Sequence, residues 1–257
     1  MKKPNEHENN LSLNETSMGK DVLSFIENLK GFDEYRLPQR AYHIIRLAIR
    51  DLILLPGQTI LEREMAEALQ MSRTPVREAL VRLETEGMVR IIPRRGFIVE
   101  PIEKEDLKQI YEIVERLDGL AVSLATMRVG MEEVAQLELL IEQQEEALEQ
   151  KKLKEWAILD FRFHDLIIDY AKNKRLRTVI DSHSDQLYRA RLFTINHRPF
   201  PFHSIVEHKA IVACMKAKDS HAADVLMQSH RNRARIEILA AVEKIAQKDL
   251  LVLNTEK

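Results

Sequence analysis

The chain has 257 residues and a formal net charge of −2. This length allows one or two domains with a sizeable core, and the balanced charge gives no global signal for nucleic acid. A single cysteine, Cys214, excludes an internal disulfide and is typical of a reducing compartment. No apolar stretch approaches the ~20 residues that a membrane span needs, so we expect a cytoplasmic protein with no membrane partner.

Residues 1–36 are predicted to form a polar N-terminal tail. The segment from Met1 to Thr16 is rich in Asn, Glu and Lys and has no apolar core, which excludes a signal peptide and favours disorder. Nearer its end, four apolar residues permit one short helix: Val22, Leu23, Ile26 and Leu29.

Residues 37–101 are predicted to form a small domain that begins with three helices. The first is indicated by apolar residues at helical spacing, namely Tyr42, Ile45, Ala48, Ile49 and Leu52. A turn at Gly57 then starts a second short helix that buries Met65, Ala66 and Leu69. Gln70 and Met71 connect it tightly to a third helix, and two short helices joined in this way indicate a helix-turn-helix.

The third helix begins in the run 72–80, SRTPVREAL. Ser72 is expected to cap it, and Pro75 suits a first turn. Arg73 and Arg77 share one face at i,i+4, while Val76, Ala79, Leu80 and Leu83 lie on the opposite face. A short helix with a cationic, hydrogen-bonding N-terminal end suits the major groove of DNA. Residues 72–99 hold six arginines and no lysine, which favours bidentate contacts.

Two strand-like runs follow, over residues 88–92 and 97–99. They are separated by Pro93-Arg94-Arg95-Gly96, so the pattern predicts a hairpin with a basic tip, or wing. Arginine is a common probe of the minor groove, and glycine allows a close backbone approach.

Residues 102–250 are predicted to form an all-α bundle, which makes the whole chain mainly α. Only two glycines and two prolines interrupt an apolar pattern with a period near 3.6. The Glu- and Gln-rich polar face of the second helix is expected to be solvated. The six predicted helices span residues 103–128, 131–150, 153–171, 173–195, 203–217 and 219–247.

Four polar residues interrupt the apolar stripes of three of these helices. Asp160 and His164 lie on the stripe of helix 153–171, His208 on that of 203–217, and His230 on that of 219–247. Burial of such groups is costly unless each is satisfied, and three histidines with one aspartate are the ingredients of a metal site inside a bundle. Because each histidine alone also suits a hydrogen-bonded core position, the pattern leaves both interpretations open.

The N-terminal domain resembles the winged helix-turn-helix of GntR-family bacterial transcription regulators. The resemblance rests on segments that include Pro56-Gly57, Leu61-Glu62-Arg63-Glu64, the 72–80 run, Glu86-Gly87 and Arg95-Gly96-Phe97. It implies that groove and phosphate contacts come from the third helix and its neighbours, and that two further residues form the wing tip. The first group is Arg63, Ser72, Arg73, Thr74 and Arg77, and the second is Arg95 and Gly96.

Residues 103–240 resemble the FCD effector domain of the FadR subfamily. The matching segments are Asp160 to Leu166, Lys172-Asn173, Glu207 to Ile211 and Ala222 to His230. The resemblance implies that Asp160, His164, His208 and His230 bind one divalent ion below an effector pocket, where a small carboxylate completes the coordination. Nitrogen-rich ligation of this kind suits zinc, manganese or nickel.

One position departs from the FCD pattern. Many members carry an arginine where Val114 stands, which leaves the carboxylate-binding group of this chain open. Arg116 and Arg189 are candidate substitutes, and His183, on the stripe of helix 173–195, is a candidate lining residue of the pocket.

Together the two resemblances imply a homodimeric, metabolite-responsive transcription regulator. Repression is the commoner behaviour in such families, so we expect a repressor. Each protomer would offer one recognition helix to half of a palindromic operator, and effector binding would shift operator affinity. Two alternatives stay open: a sensor of the metal itself, and a metal-dependent hydrolase fused to a DNA-binding domain. The second lacks an obvious additional general base, so we expect no enzyme activity.

Overall fold

The computed structural model describes residues 22, 24–26, 29, 31–32 and 34–255. The chain divides into two compact units, Met1–Pro101 and Ile102–Lys257. The predicted tail from Met1 to Thr16, and Leu23 of the predicted short helix, lie outside the described residues. Val22 is buried in the core of the first unit, and Ile26 and Leu29 pack against that core.

From Leu37 to Val99, the first unit combines three helices with a small sheet. Pro38 lies in the first turn of its first helix, where the missing N–H has no intrahelical partner to lose. That helix ends at Arg50, before Leu52 adopts a positive φ of 59°. The elements are α1 (Leu37–Arg50), β1 (Thr59–Ile60), α2 (Glu62–Ala68), α3 (Arg73–Thr85), β2 (Val89–Ile92) and β3 (Gly96–Val99).

The sheet is antiparallel, with strand order β1-β3-β2. Phe97 of β3 pairs with Ile91 on one side and with Ile60 on the other. The hairpin of β2 and β3 confirms the predicted wing. The sequence did not predict β1, because a strand of two residues is too short to show alternation.

The predicted apolar face of α3 is confirmed. Val76, Ala79, Leu80 and Leu83 are at most 1% exposed and lie in one core with residues of α1 and the sheet. The buried face packs α3 against the rest of the first unit, and the opposite face of α3 is exposed to solvent.

The second unit is all-α in its described residues. Local signals explain several of its boundaries: the Gly130 N–H donates to Glu133 at 2.8 Å where the second helix begins, and Asn173 Oδ1 accepts from two N–H groups where the fourth begins. The helices are α4 (Lys104–Arg128), α5 (Met131–Glu149), α6 (Leu153–Tyr170), α7 (Lys174–Thr194), α8 (Phe202–Lys216) and α9 (Ser220–Thr255).

These six helices confirm the predicted all-α architecture, and the first five agree with the predicted bounds to within one residue. The last extends eight residues beyond its predicted end. Trp156, Phe163 and Ile167 of α6 form the centre of the largest core of this unit, together with Ile211 and Met215 of α8. Among the described residues, no helix has the length and apolarity to cross a membrane.

Candidate nucleic-acid interface and metal centre

The N-terminal half of α3 presents a row of polar side chains to solvent. Ser72, Arg73, Thr74 and Arg77 are all exposed, whereas Val76 beside them is fully buried. Arg73 and Arg77 lie one turn apart on the exposed face, as their spacing predicted. The side chain of Arg77 is 71% exposed, so its guanidinium is accessible to a large partner.

Ser72 takes the N-cap position of α3, with φ −69° and ψ 164°, but its side chain makes no capping hydrogen bond. This differs from the predicted cap: the hydroxyl accepts from none of the first-turn N–H groups, and Pro75, at the third helical position, has no N–H to donate. Those N–H groups and the positive end of the helix dipole are therefore presented to solvent, an arrangement that suits an anion such as phosphate.

Arg63 is exposed on the first turn of α2, close to α3. The carboxylate of its neighbour Glu62 lies 3.9 Å from Nε of Arg77, which brings the start of α2 beside the second turn of α3. Arg63 thus follows a residue that contacts α3, and its own part in DNA binding stays a prediction.

The tip of the wing comprises Pro93, Arg94 and Arg95, and both arginines are exposed. Gly96 has a φ of +91°, and a Cβ there would lie 2.7 Å from the carbonyl oxygen of Ile60. Gly96 is therefore required by the packing of β3 against β1. The structure thus explains the glycine by packing within the sheet, whereas the sequence suggested that it allows a close approach to DNA.

In the second unit, the four predicted metal ligands meet in the interior. Asp160 and His164 come from α6, His208 from α8 and His230 from α9, and each is at most 4% exposed. One ligand atom from each of the four can be chosen so that all lie within 4.8 Å of one another. The helices thus bring together residues that are up to 70 positions apart in the sequence.

Two neighbouring side chains orient the imidazoles. Nδ1 of His208 donates to Oε1 of Gln144 at 2.9 Å, and Nδ1 of His230 donates to a carboxylate oxygen of Glu207 at 2.6 Å. Because each Nδ1 carries the proton, each neutral ring keeps a lone pair on Nε2. This is the orientation that prepares an imidazole for a metal ion.

The Nε2 atoms converge on one point. Those of His230 and His164 lie 3.2 Å apart, and Nε2 of His208 lies 3.7 Å from Oδ1 of Asp160. Nε2 of His208 is buried without a hydrogen-bond partner among the described residues. A set of three imidazole nitrogens and one carboxylate oxygen, with a lone pair left unsatisfied, fits a transition-metal ion.

The protonation states also suit a metal. Burial, reinforced by nearby cationic groups, holds the pKa of His164 and of His208 well below the ordinary 6.5. Burial alone would raise the pKa of Asp160, but the positive charge of Arg191, which donates to its Oδ2, contributes to a net lowering. The rings are therefore neutral and the carboxylate ionised, the forms in which these groups bind metal.

Glu207 is ionised as well. Burial alone would raise its pKa, but hydrogen bonds from Arg233 and His230 outweigh this effect and lower the pKa to about 2. Nε of Arg233 donates to Oε1 of Glu207 at 2.6 Å, so the partner of His230 is itself held in place.

A small cavity of about 30 Å³, which opens to solvent, adjoins this cluster. His164 forms part of its wall, as do two buried arginines, Arg191 and Arg231, which are paired with Asp160 and Asp118 respectively. The cavity lies between α6 and α7, with one residue each from α4 and α9. Its lining residues are Val114, Phe161, His164, Asp165, Ile168, Ile180, Asp181, Ser184, Leu187, Tyr188, Arg191 and Arg231.

The three residues that the sequence suggested for the pocket lie outside this lining. Arg116 is exposed on α4 and donates to Gln228. Arg189 is buried, and His183 is half-buried on α7. On α7 the cavity is lined by residues 180, 181, 184, 187, 188 and 191; His183 shares a stripe with Ile180 and Leu187 but lies at its edge, outside the lining.

Sequence reasoning missed four residues around this cluster: Gln144, Arg191, Glu207 and Arg231. Gln144 lies on the helix whose polar face was expected to be solvated, yet its exposure is 0%. A signal was present, because Gln144 is at i+3 from Ile141 and i+4 from Leu140 on the apolar stripe. Arg231 similarly follows Met227 by four residues.

Two family models match this chain, one in each of its two units. The family model described as "Bacterial regulatory proteins, gntR family" matches residues 37–99, and the "FCD domain" model matches residues 109–233. A transcriptional regulator encoded in the TAR-I ttuE-ttuC' intergenic region of Agrobacterium vitis is 43% identical over 131 residues, which cover 50% of this chain and 77% of the relative.

Two further proteins resemble most of the chain. The HTH-type transcriptional repressor RspR of Escherichia coli is 27% identical over 211 residues, which cover 82% of this chain and 91% of the relative. The structure of E. coli McbR/YncC has the same fold, with a TM-score of 0.70 at 24% identity over 80% of this chain and 98% of that one. The chain belongs to the GntR family of DNA-binding transcription regulators, with an FCD domain, and is not an enzyme.

Proposed function

We propose that the protein is a cytoplasmic, homodimeric repressor that binds a palindromic operator. Each protomer would place α3 in the major groove of one half-site and the wing tip at the adjacent minor groove. The exposed Arg73 and Arg77, one turn apart, support this role, and Ser72, Thr74, Arg63, Arg95 and Gly96 extend the same interface. The repressor RspR is a relative that supports the direction of regulation.

We further propose that Asp160, His164, His208 and His230 hold one divalent ion, with zinc, manganese and nickel as the suitable metals. The observation that carries this proposal is the convergence of three buried imidazoles, two of which, His208 and His230, have Nδ1 fixed as a donor and Nε2 directed at the cluster. A bound ion would supply a positive centre with open positions for an oxygen ligand. The complete burial of all four side chains favours a resident ion over a reversibly sensed one.

The cavity beside His164 is the proposed effector site, and its ligand is a small carboxylate. Arg191 and Arg231 each use part of the guanidinium on an aspartate, Asp160 and Asp118 respectively, and keep further N–H donors for a second anion. Effector binding would favour one of two states of the dimer and change operator affinity by the difference in effector affinity for those states.

The metal proposal is tested by elemental analysis of protein purified without a metal-binding tag. We expect one ion per protomer in the wild type and none in His208→Ala. His221→Ala, which changes an exposed histidine on α9, is the matched control and should keep the ion. A chelator should lower the melting temperature and added metal should restore it. If the wild type binds no metal and gains no stability from any divalent ion, the four residues are a hydrogen-bond network.

The regulatory proposal is tested by operator binding at fixed free-metal concentration. Small carboxylates should change the operator affinity of the metal-loaded dimer, and light scattering should give the mass of two chains. If affinity instead follows free Zn²⁺ and ignores every carboxylate, the protein is a metal sensor.

A further inference from the structure

Apolar residues form an exposed stripe along the outward face of α4. Ile113, Leu120 and Met127 are 48%, 45% and 61% exposed and stand seven residues apart. Leu117 and Leu124 lie between them and are half-buried. The five residues alternate at spacings of four and three, which places them on one side of the helix, as in the seam of a coiled coil. This side of α4 therefore has the pattern of a helix that packs against another helix.

The stripe continues across the neighbouring helix α7. Its half-buried leucines pack against a small core that contains Leu176 and Ile180 of α7. Val179, beside Ile180, is 46% exposed. His183 and Gln186, both half-buried, follow on the same edge of α7, at i+4 and i+7 from Val179. The exposed stripe thus widens into a patch that two helices share.

Charge is scarce along the stripe of α4. The sequence from 113 to 127 has three charged residues, and all of them contact side chains of α9: Glu115, Arg116 and Asp118. By contrast, α5 has seven glutamates in 19 residues. The core of a protein–protein interface is depleted in charge, whereas a solvated helix face is rich in it. The outward face of α4 therefore has the composition of an interface.

The size of the patch suits a second copy of this chain. Its length from Ile113 to Met127 is roughly 21 Å, at about 1.5 Å per residue. Two helices packed about 10 Å apart make it roughly 20 Å wide, so each protomer offers roughly 400 Å² of largely apolar surface. A standard interface takes about 800 Å² from each partner, with a polar rim around a more apolar core. The patch has the size of such a core.

The stripe also suits pairing with itself. Leu120 is its midpoint, with Ile113 seven residues before it and Met127 seven after it. In an antiparallel pair with a two-fold axis at Leu120, Ile113 would therefore lie opposite the partner's Met127. The ends of α4 favour this direction, because its first turn holds two acidic residues and its last turn holds Arg128. An antiparallel pair brings the acidic end near the basic end, whereas a parallel pair would bring like charges together.

We propose that this patch is the homodimer interface, in which α4 of each protomer packs antiparallel against α4 of its partner with Leu120 at the two-fold axis. This inference rests on the proposed function, because it names the surface that would hold the proposed dimer together. His183, which lies outside the cavity lining, would stand at the edge of this interface.

The first test compares Leu120→Lys with Leu139→Lys in the full-length protein. Leu139 is 53% exposed on α5, outside the patch, which makes it a matched control. Sedimentation measures the dimer dissociation constant. Leu120→Lys should raise it by about a hundredfold or more, because two ammonium groups would meet on the axis, and Leu139→Lys should leave it unchanged. Circular dichroism should match the wild type in both variants, since both leucines are partly exposed in one protomer. A wild-type dissociation constant in Leu120→Lys would overturn the inference.

Cysteine cross-linking tests the direction of pairing. The background is Cys214→Ser, which removes the single cysteine of the chain. Leu120→Cys should form a disulfide between protomers on mild oxidation, because a residue on the axis faces its own copy. Ile113→Cys and Met127→Cys should each fail alone, at roughly 21 Å from their own copies, and cross-link when combined in one chain. A disulfide in Ile113→Cys alone would mean parallel helices and overturn the inference.

The outcomes also separate this inference from the proposed function. If the wild type and Leu120→Lys are equally tight dimers, the dimer stands and this interface is wrong. If the wild type is a monomer at every concentration at which it binds the operator, both are wrong.

Discussion

Gln144 accepts a hydrogen bond from Nδ1 of His208 at 2.9 Å, deep inside the second unit. Both side chains have an exposure of 0%, so water does not compete for this contact. The amide oxygen can only accept, and the imidazole must therefore present the lone pair of Nε2 to Asp160 and the other histidines. A residue on α5 thus sets the tautomer of a proposed ligand on α8.

Gln144→Leu should lower metal affinity by about ten- to a hundredfold, as expected when the partner that orients a ligating histidine is removed. The matched control is Gln143→Leu, since Gln143 is exposed on the same helix. Competition with a chromophoric chelator measures both affinities. Equal affinities in the two variants would show that Gln144 has no part in ligation.

The metal-free protein should lose stability as the pH falls from 7 to 5. Burial is the first cause that lowers the pKa of His164 and His208 in the folded state, whereas in the unfolded chain they titrate near 6.5. The unfolded chain therefore takes up protons that the folded one does not, and acid favours unfolding. Melting curves in a chelator should show this decline, and a smaller decline in His208→Gln. An identical pH dependence in the variant would contradict the assignment.

The elements of this protein were largely predictable because their patterns are local. The 3.6-residue period gives the helices of the second unit, and the interruptions at Gly130 and Pro199 give their ends. The stripes also show which faces of three helices are buried, so Asp160, His164, His208 and His230 could be named before their contacts were known. The spacing of apolar residues within one segment shows both that the segment is a helix and which of its faces is buried.

The surroundings of the cluster were not predictable in the same way. Whether Arg189 or Arg191 faces the cavity depends on the rotation of α7 against α6, which sequence spacing within α7 does not specify. Glu207 precedes His208 on α8, but its hydrogen-bond partner His230 is on α9. The strand β1 could not be predicted for the same reason, because only its pairing with the distant β3 defines it. Contacts between distant segments depend on packing angles that no single segment encodes.

Arg73→Ala and Arg77→Ala should each weaken specific operator binding by about 1–3 kcal/mol, the cost of losing a base or charged phosphate contact. Both side chains are exposed, so helix content by circular dichroism should not change. Arg128→Ala, an exposed arginine at the end of α4, serves as the control. Wild-type affinity in both α3 variants would remove α3 from the interface.

Gly96→Ala should destabilise the first unit by about 1–3 kcal/mol, because it adds a clash to a left-handed backbone conformation. Its Cβ would lie 2.7 Å from the Ile60 carbonyl oxygen. Gly57→Ala is the matched control: Gly57 has a φ of +78° but nothing within 4 Å, so this change should cost only about 1 kcal/mol. Chemical denaturation of the two variants measures the difference. Equal costs would mean that β3 can move away from β1.

Arg95→Ala should reduce both operator affinity and its dependence on salt. Arg95 is exposed at the wing tip, next to the point where β3 begins. If it contacts a phosphate, its loss releases one counterion fewer on binding, and the slope of log affinity against log salt should fall by about one per protomer. Fluorescence anisotropy from low to moderate salt measures this slope. Lys154→Ala, on α6 in the other unit, should leave it unchanged. An unaltered slope in Arg95→Ala would mean that Arg95 makes no contact with the DNA backbone, which would leave Arg94 as the exposed arginine of the wing tip that could do so.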